Sequence, residues 1–170
     1  MRGFFLWGLG AAVGLAVTGA AQAAEPQLLG TYDDWAAYSY QAPDTKVCYA
    51  VSSPKSSESS RKVKRDPVFF LVTNMPGRKI RGEVSSIIGY PFKDSSLVSL
   101  KVDDQEFELF TNGDGAWADT TAKERQIVGA MKKGHKLSVS GTSGRGTQTT
   151  DHYSLAGFSA AVEKIDSACK

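Results

Sequence analysis

The residues of this chain that could support acid–base or nucleophilic chemistry are few. It has two histidines. His135 sits in Gly134-His135-Lys136, a turn between a helical and an extended segment, and His152 sits in a polar extended run beside Asp151. Asp151, His152 and Ser154 are the residue types of a hydrolytic triad. Their spacing opposes that role: adjacent strand residues point to opposite faces, so Asp151 cannot orient the His152 ring. Gly141-Thr142-Ser143-Gly144 does not match the strained G-x-S-x-G nucleophile elbow. Gly141 to Thr147 has the composition of a phosphate-cradling loop, but it opens a strand rather than a helix and lacks Gly-Lys-Ser/Thr. It reads as a glycine-permitted hairpin. No cysteine or histidine grouping has metal-ligand spacing. The expectation is a protein that is not an enzyme, with no catalytic residue, no metal site and no cofactor.

Binding chemistry has more material. Arg61-Lys62-Val63-Lys64-Arg65 places four positive charges beside a Ser-rich stretch. Such a run either holds anionic envelope polymer or lipid head groups through a salt-screened field, or is a solvated face. Arg145, at the tip of Ser143-Gly144-Arg145-Gly146, is a further candidate contact. The net charge of the chain is only +2, which excludes the strongly basic footprint of a nucleic-acid binder. Trp35 and Trp117, with Tyr32, Tyr38 and Tyr40 near the first, are core and cross-strand partners or a sugar-stacking platform.

The elements that must position these residues read mostly as strands. Thr31 to Tyr40 alternates aromatic and polar residues, and Lys46 to Ser52 sets Val47, Tyr49 and Val51 on one face and Cys48 and Ala50 on the other. Val68 to Val72 is a continuous apolar run, the pattern of a strand buried on both faces. Met75-Pro76-Gly77 ends it, and Lys79 to Ile88 follows, stopped by Gly89-Tyr90-Pro91. One hairpin is expected from Val98 to Phe110 across Asp103-Asp104, then a short strand at Ala116-Trp117. A second joins Lys136 to Thr142 with Thr147 to Leu155. Ser52 to Arg61 carries no packing residue and reads as a long mobile loop.

Two helices interrupt the strands. Asp119 or Thr120 can cap the first, with Glu124 early, Lys132 and Lys133 late and Gly134 as the stop. The second runs from about Gly157 to Ala168, with Phe158, Ala161, Val162, Ile165 and Cys169 forming one stripe. That stripe turns Cys169 toward the core, while Cys48 shares its strand face with small Ala50. The expectation is a helix lying on this strand and stapled by a Cys48–Cys169 disulfide, worth about 4–5 kcal/mol by loop-closure entropy less any strain. The alternative is two buried thiols.

Met1-Arg2-Gly3 is a short positive head, Phe4 to Ala20 is uncharged and mostly apolar, and Ala21-Gln22-Ala23 supplies a small-x-small cleavage pattern. Residues 1–23 are expected to be a cleaved signal peptide, leaving residues 24–170 as one domain in the periplasm or at the outer membrane, with no transmembrane segment after cleavage. The alternative is an uncleaved anchor. An exported chain meets thiol-oxidising conditions, which favours the disulfide.

The chain resembles the invasion-associated locus B family of Gram-negative bacteria. The matching stretches are Asp34 to Tyr38, Lys46 to Tyr49, Val68 to Pro76, Glu83 to Phe92, Phe107 to Trp117, Gly141 to Ala161 and the terminal Cys169. The resemblance implies a mainly β, immunoglobulin-like β-sandwich with two short helices, one of them C-terminal. It also implies an exported envelope protein without enzymatic activity, linked to host-cell invasion in some relatives. The partner is expected to be another envelope protein, reached through loops or a sheet edge. The alternative is an anionic envelope polymer or lipid held by Arg61, Lys62, Lys64, Arg65 and Arg145.

Overall fold

A computed structural model of the chain describes residues 25–170; the signal peptide expected over residues 1–23 and its cleavage lie outside the described residues. The chain begins as a hairpin, β1 (Gln27–Tyr32) and β2 (Trp35–Gln41). The single strand expected over Thr31 to Tyr40 is therefore two. Tyr32 pairs with Trp35 and leaves Asp33-Asp34 as the turn, with Asp33 at φ 46°, a left-handed conformation that aspartate tolerates better than most residues.

Then follow β3 (Lys46–Ser52), β4 (Ser56–Ser59), β5 (Phe69–Met75), β6 (Ile80–Ile87), β7 (Leu97–Val102), β8 (Gln105–Asn112) and β9 (Gly115–Trp117). Helix α1 (Thr121–Met131), strands β10 (Lys136–Thr142) and β11 (Gln148–Ser154), and helix α2 (Phe158–Ala168) complete the described residues. All pairings are antiparallel, in the order β1-β2-β3-β5-β6-β9-β8-β7-β10-β11-β4. Strands β5 and β11 stand far apart in that order, yet the rings of Phe70 and Tyr153 lie 5.9 Å apart. Trp35 of β2 likewise donates its indole N–H to the Ser154 carbonyl of β11 at 3.0 Å. The sheet is thus curled so that its halves face each other across one core, a sandwich-like arrangement. The mainly β fold with two helices, the second C-terminal, is as expected; the immunoglobulin-like arrangement stays an implication of the resemblance.

Strand β4 corrects the reading of Ser52 to Arg61 as a loop. Ser56, Ser57, Glu58 and Ser59 pair with His152, Asp151, Thr150 and Thr149 of β11. The backbone ladder and the Ser57 hydroxyl, which donates to the Asp151 carboxylate, hold this strand in place, and no hydrophobic signal marks it.

Both helices follow their sequence signals. Thr120 caps α1 by accepting the Lys123 N–H on its hydroxyl at 3.2 Å, and Gly134 closes the last turn onto the Ala130 carbonyl at 2.9 Å. In α2, Phe158, Ala161, Val162 and Ile165 are buried. Phe158 meets Trp35 edge-on at 4.8 Å beneath β2. Cys169 is joined to Cys48 of β3 by a disulfide with a Cα–Cα distance of 6.0 Å, closing a span of 121 residues. Helix α2 therefore covers the Trp35–Ala37 and Cys48–Ala50 face of the sheet.

Candidate docking face

The basic run does not act as a unit. Arg61, Lys62 and Lys64 are exposed, and none has a carboxylate at ion-pair distance among the described residues. Arg65 does not belong with them. Its guanidinium turns inward and grips Asp151 with two prongs, Nη2 to Oδ1 at 2.6 Å and Nη1 to Oδ2 at 2.8 Å. Asp151 is wholly buried, so a charge expected at the surface is committed to the core wall. Arg145 is exposed at the tip of the β10–β11 hairpin, where Ser143 and Thr147 close the turn and Gly146 takes φ +76°. Ser60 and Gln148 hydrogen-bond to each other, so Arg61 leaves the sheet at the end that carries Arg145.

The acid–base residues are likewise dispersed. Asp151 faces inward to Arg65, whereas His152 faces Glu58 across the β4–β11 ladder at 3.4 Å. The two histidines share an open groove of about 450 Å³ with Asp103 and Asp104. Asp103 is a turn residue there. Its carboxylate accepts the backbone N–H groups of His135 and Lys136, which hold its pKa below the ordinary aspartate value. Among the described residues no group of three His, Cys, Asp or Glu side chains could hold a metal ion.

The aromatic residues divide by strand parity. Trp35 is 1% exposed and belongs to the core, so it is no sugar platform. Tyr38 and Tyr40 lie on the opposite side of the sheet. Tyr38 stacks on Tyr49 of the paired strand with ring centres 5.4 Å apart, and Tyr40 meets Tyr49 edge-on at 6.4 Å. Next to this trio, Val51 pairs with Leu71, which pairs with Ser85. The same row continues through Trp117 and Phe110 to Leu97. The Phe110 and Trp117 rings are 6.0 Å apart, and Phe110 and Leu97 are exposed. Directly paired residues share a face. This row therefore carries two apolar groups on the outside of the sheet, Val51 and Leu71 beside the tyrosines and Trp117, Phe110 and Leu97 beyond the buried Ser85.

The row corrects the reading of Val68 to Val72 as a strand buried on both faces. Phe70 and Val72 are buried beneath the curled sheet, but Phe69 is 37% exposed and Leu71 half-buried, because no helix or loop of the described chain lies over them. The shallow trough between the tyrosines and these residues measures about 600 Å³. Glu83 is the single carboxylate lining it, and burial pushes its carboxyl above the ordinary glutamate value against the opposing charge of Arg78. Tyr49, Phe69 and Leu71 were absent from the expected site residues. A signal for them exists: a helix stapled over Cys48 and Ala50 leaves Tyr49 and Val51 on the bare side.

Among the described residues no helix is long and apolar enough to cross a membrane. The family model for invasion associated locus B proteins matches residues 35–166. No curated protein and no solved structure matches the chain.

Proposed function

The chain belongs to the invasion associated locus B family, and from that premise we propose that it is an exported, non-catalytic module that docks another envelope protein on the outer face of its sheet. The observation that carries this reading is the row from Tyr38 and Tyr49 through Leu71 to Trp117 and Phe110. A strand whose sequence has the pattern of two-sided burial is covered by its own chain on one side only. Exposed apolar surface on one sheet face marks interaction sites, and tyrosine and tryptophan anchor such sites well. The sheet edges offer less. Strand β4 is a short serine-rich edge, and β1 carries a register irregularity between Leu28 and Gly30; both features discourage strand addition. Export is supported by the leader pattern of residues 1–23 and by the Cys48–Cys169 bridge, which needs an oxidising compartment. A docking module in the envelope is consistent with the invasion association in the family's description.

Capture of tagged mature protein from cross-linked envelopes tests this, with Tyr49→Ser/Leu71→Ser run in parallel. The expected result is one protein recovered in near-stoichiometric amount with the wild type and lost with the variant. Recovery of the same protein by the variant overturns the assignment of the face.

A second reading rests on a separate observation. Arg61, Lys62 and Lys64 are exposed without carboxylate partners among the described residues and share a sheet end with Arg145, a grouping suited to anionic envelope polymer or lipid. Binding of such a polymer should fall steeply with salt and disappear when the three run residues become serine. Salt-insensitive binding removes this reading.

A further inference from the structure

On the other side of β5 from the docking face, helices α1 and α2 leave a cleft of about 410 Å³. Half-buried Val128 of α1 gives its apolar wall, over a floor of buried Val72 of β5 and Val162 of α2. Lys79, Arg81, Arg125 and Lys132 also line it, against a single carboxylate among the described residues, Asp166. Asp166 is already engaged: it accepts the Asn74 side-chain N–H at 2.8 Å and lies 3.3 Å from Arg81. Lys79, Arg125 and Lys132 have no carboxylate at ion-pair distance among the described residues. Three cations thus line the cleft beyond the one, Arg81, that Asp166 balances.

Local backbone geometry builds this arrangement. The β5–β6 register shifts between Thr73 and Asn74, where Gly82 is the extra residue at φ +74° and donates its N–H to the Asn74 side-chain oxygen at 2.8 Å. In regular alternation Arg81 and Glu83 would share a face. The bulge separates them, sending Glu83 to the outer trough and Arg81 to the cleft. Bulges commonly re-aim side chains next to functional sites. Gly129 of α1 also lines the cleft, and an added Cβ there would point into open space with nothing within 4 Å. Glycine in a helix interior costs about 1 kcal/mol relative to alanine, and no tight contact here demands it.

We propose that the α1–α2 cleft is a binding site for a phosphorylated single-chain amphiphile, its phosphate held at the Arg81, Arg125, Lys79 and Lys132 rim and its chain along half-buried Val128 and Gly129. Three cations without a carboxylate partner among the described residues, one of them the Arg125 guanidinium, with Arg81 beside them, match a phosphate monoester in charge. The volume suits one short chain, within the usual range for small-ligand pockets. This assignment is independent of the docking face and of the basic run.

The test is calorimetric titration of the mature protein with decyl phosphate below its micelle concentration, with decanol and inorganic phosphate as partial probes. One site is expected, weakened by salt, with both partial probes binding roughly tenfold or more weakly. Gly129→Leu fills the cleft and should abolish binding. Exposed Arg125→Gln should weaken it roughly tenfold and serves as the test if the leucine variant does not fold. Arg61→Ser/Lys62→Ser/Lys64→Ser should bind as the wild type does. Equal binding of decanol or of inorganic phosphate overturns the proposal, as does binding unchanged in Arg125→Gln or lost in the basic-run variant.

Discussion

Arg65 and Asp151 meet as a two-pronged buried ion pair that ties the segment after β4 to the inner wall of β11. Ser57 of β4 donates its hydroxyl to the same carboxylate, and the Arg65 guanidinium lies 6.0 Å from the centre of the Tyr90 ring. One carboxylate thus organises an edge strand, a connecting segment and a turn.

Removing one partner should therefore cost more than a surface charge would. Arg65→Ala leaves Asp151 buried and unpaired, a change worth about 3–5 kcal/mol. Replacing both residues, as Arg65→Met/Asp151→Leu, should recover much of that loss, because the desolvation of two charges disappears with their attraction. Urea denaturation of the three proteins checks the order. Equal stability of Arg65→Ala and wild type would show that the pair contributes nothing.

The Cys48–Cys169 bridge joins α2 to β3 across 121 residues of sequence. Cys48→Ala/Cys169→Ala should lose about 2–5 kcal/mol of stability, and reducing agent should lower the wild type to the same level. Amide exchange in α2 should rise before that in β3, since the helix end is the less anchored side. Unchanged protection in α2 after reduction contradicts this.

Much of this architecture is legible in the sequence because local and global preferences agree. Thr120, Glu124 and Gly134 bracket α1, the Phe158–Ile165 stripe announces α2, and Cys169 on that stripe opposite Cys48 gives the staple. The failures share a physical cause. Strand β4 has no apolar residue and exists through backbone pairing to β11, which no local pattern records. Arg65 sits among solvated charges in sequence, and its burial depends on Asp151, 86 residues away. The Asp33-Asp34 turn falls where Trp35 breaks the parity of Tyr32, Tyr38 and Tyr40, a signal that the reading of one strand passes over. The docking face shows in strand parity, but that nothing covers it is a property of the whole fold.

Glu83 should set a pH dependence of stability. Burial raises its carboxyl above the ordinary glutamate value, and its charge in turn helps raise Glu124. The folded state then holds the proton more tightly than the unfolded state, so stability falls as pH rises from the ordinary glutamate pKa through the raised one. Glu83→Gln does not titrate. The variant should melt above the wild type at about pH 7, and the gap should close by about pH 4. Thermal melts at both values decide it, and a gap that widens toward acid reverses the sign.

Two glycines with positive φ should respond very differently to substitution. Gly157 enters α2 at φ +85°, and a Cβ there would come within 1.9 Å of the Tyr32 carbonyl oxygen. Gly113, in the β8–β9 turn, has φ +60° and nothing within 4 Å of the added atom. Both alanine variants carry the left-handed backbone penalty, about 1–2 kcal/mol. Only Gly157→Ala must also move backbone, displacing the β1–β2 hairpin from the start of the helix that holds Phe158 against Trp35. Gly113→Ala should stay within that penalty, and Gly157→Ala should exceed it clearly in urea denaturation. Similar losses in the two variants would mean that the hairpin yields freely and does not clamp the helix start.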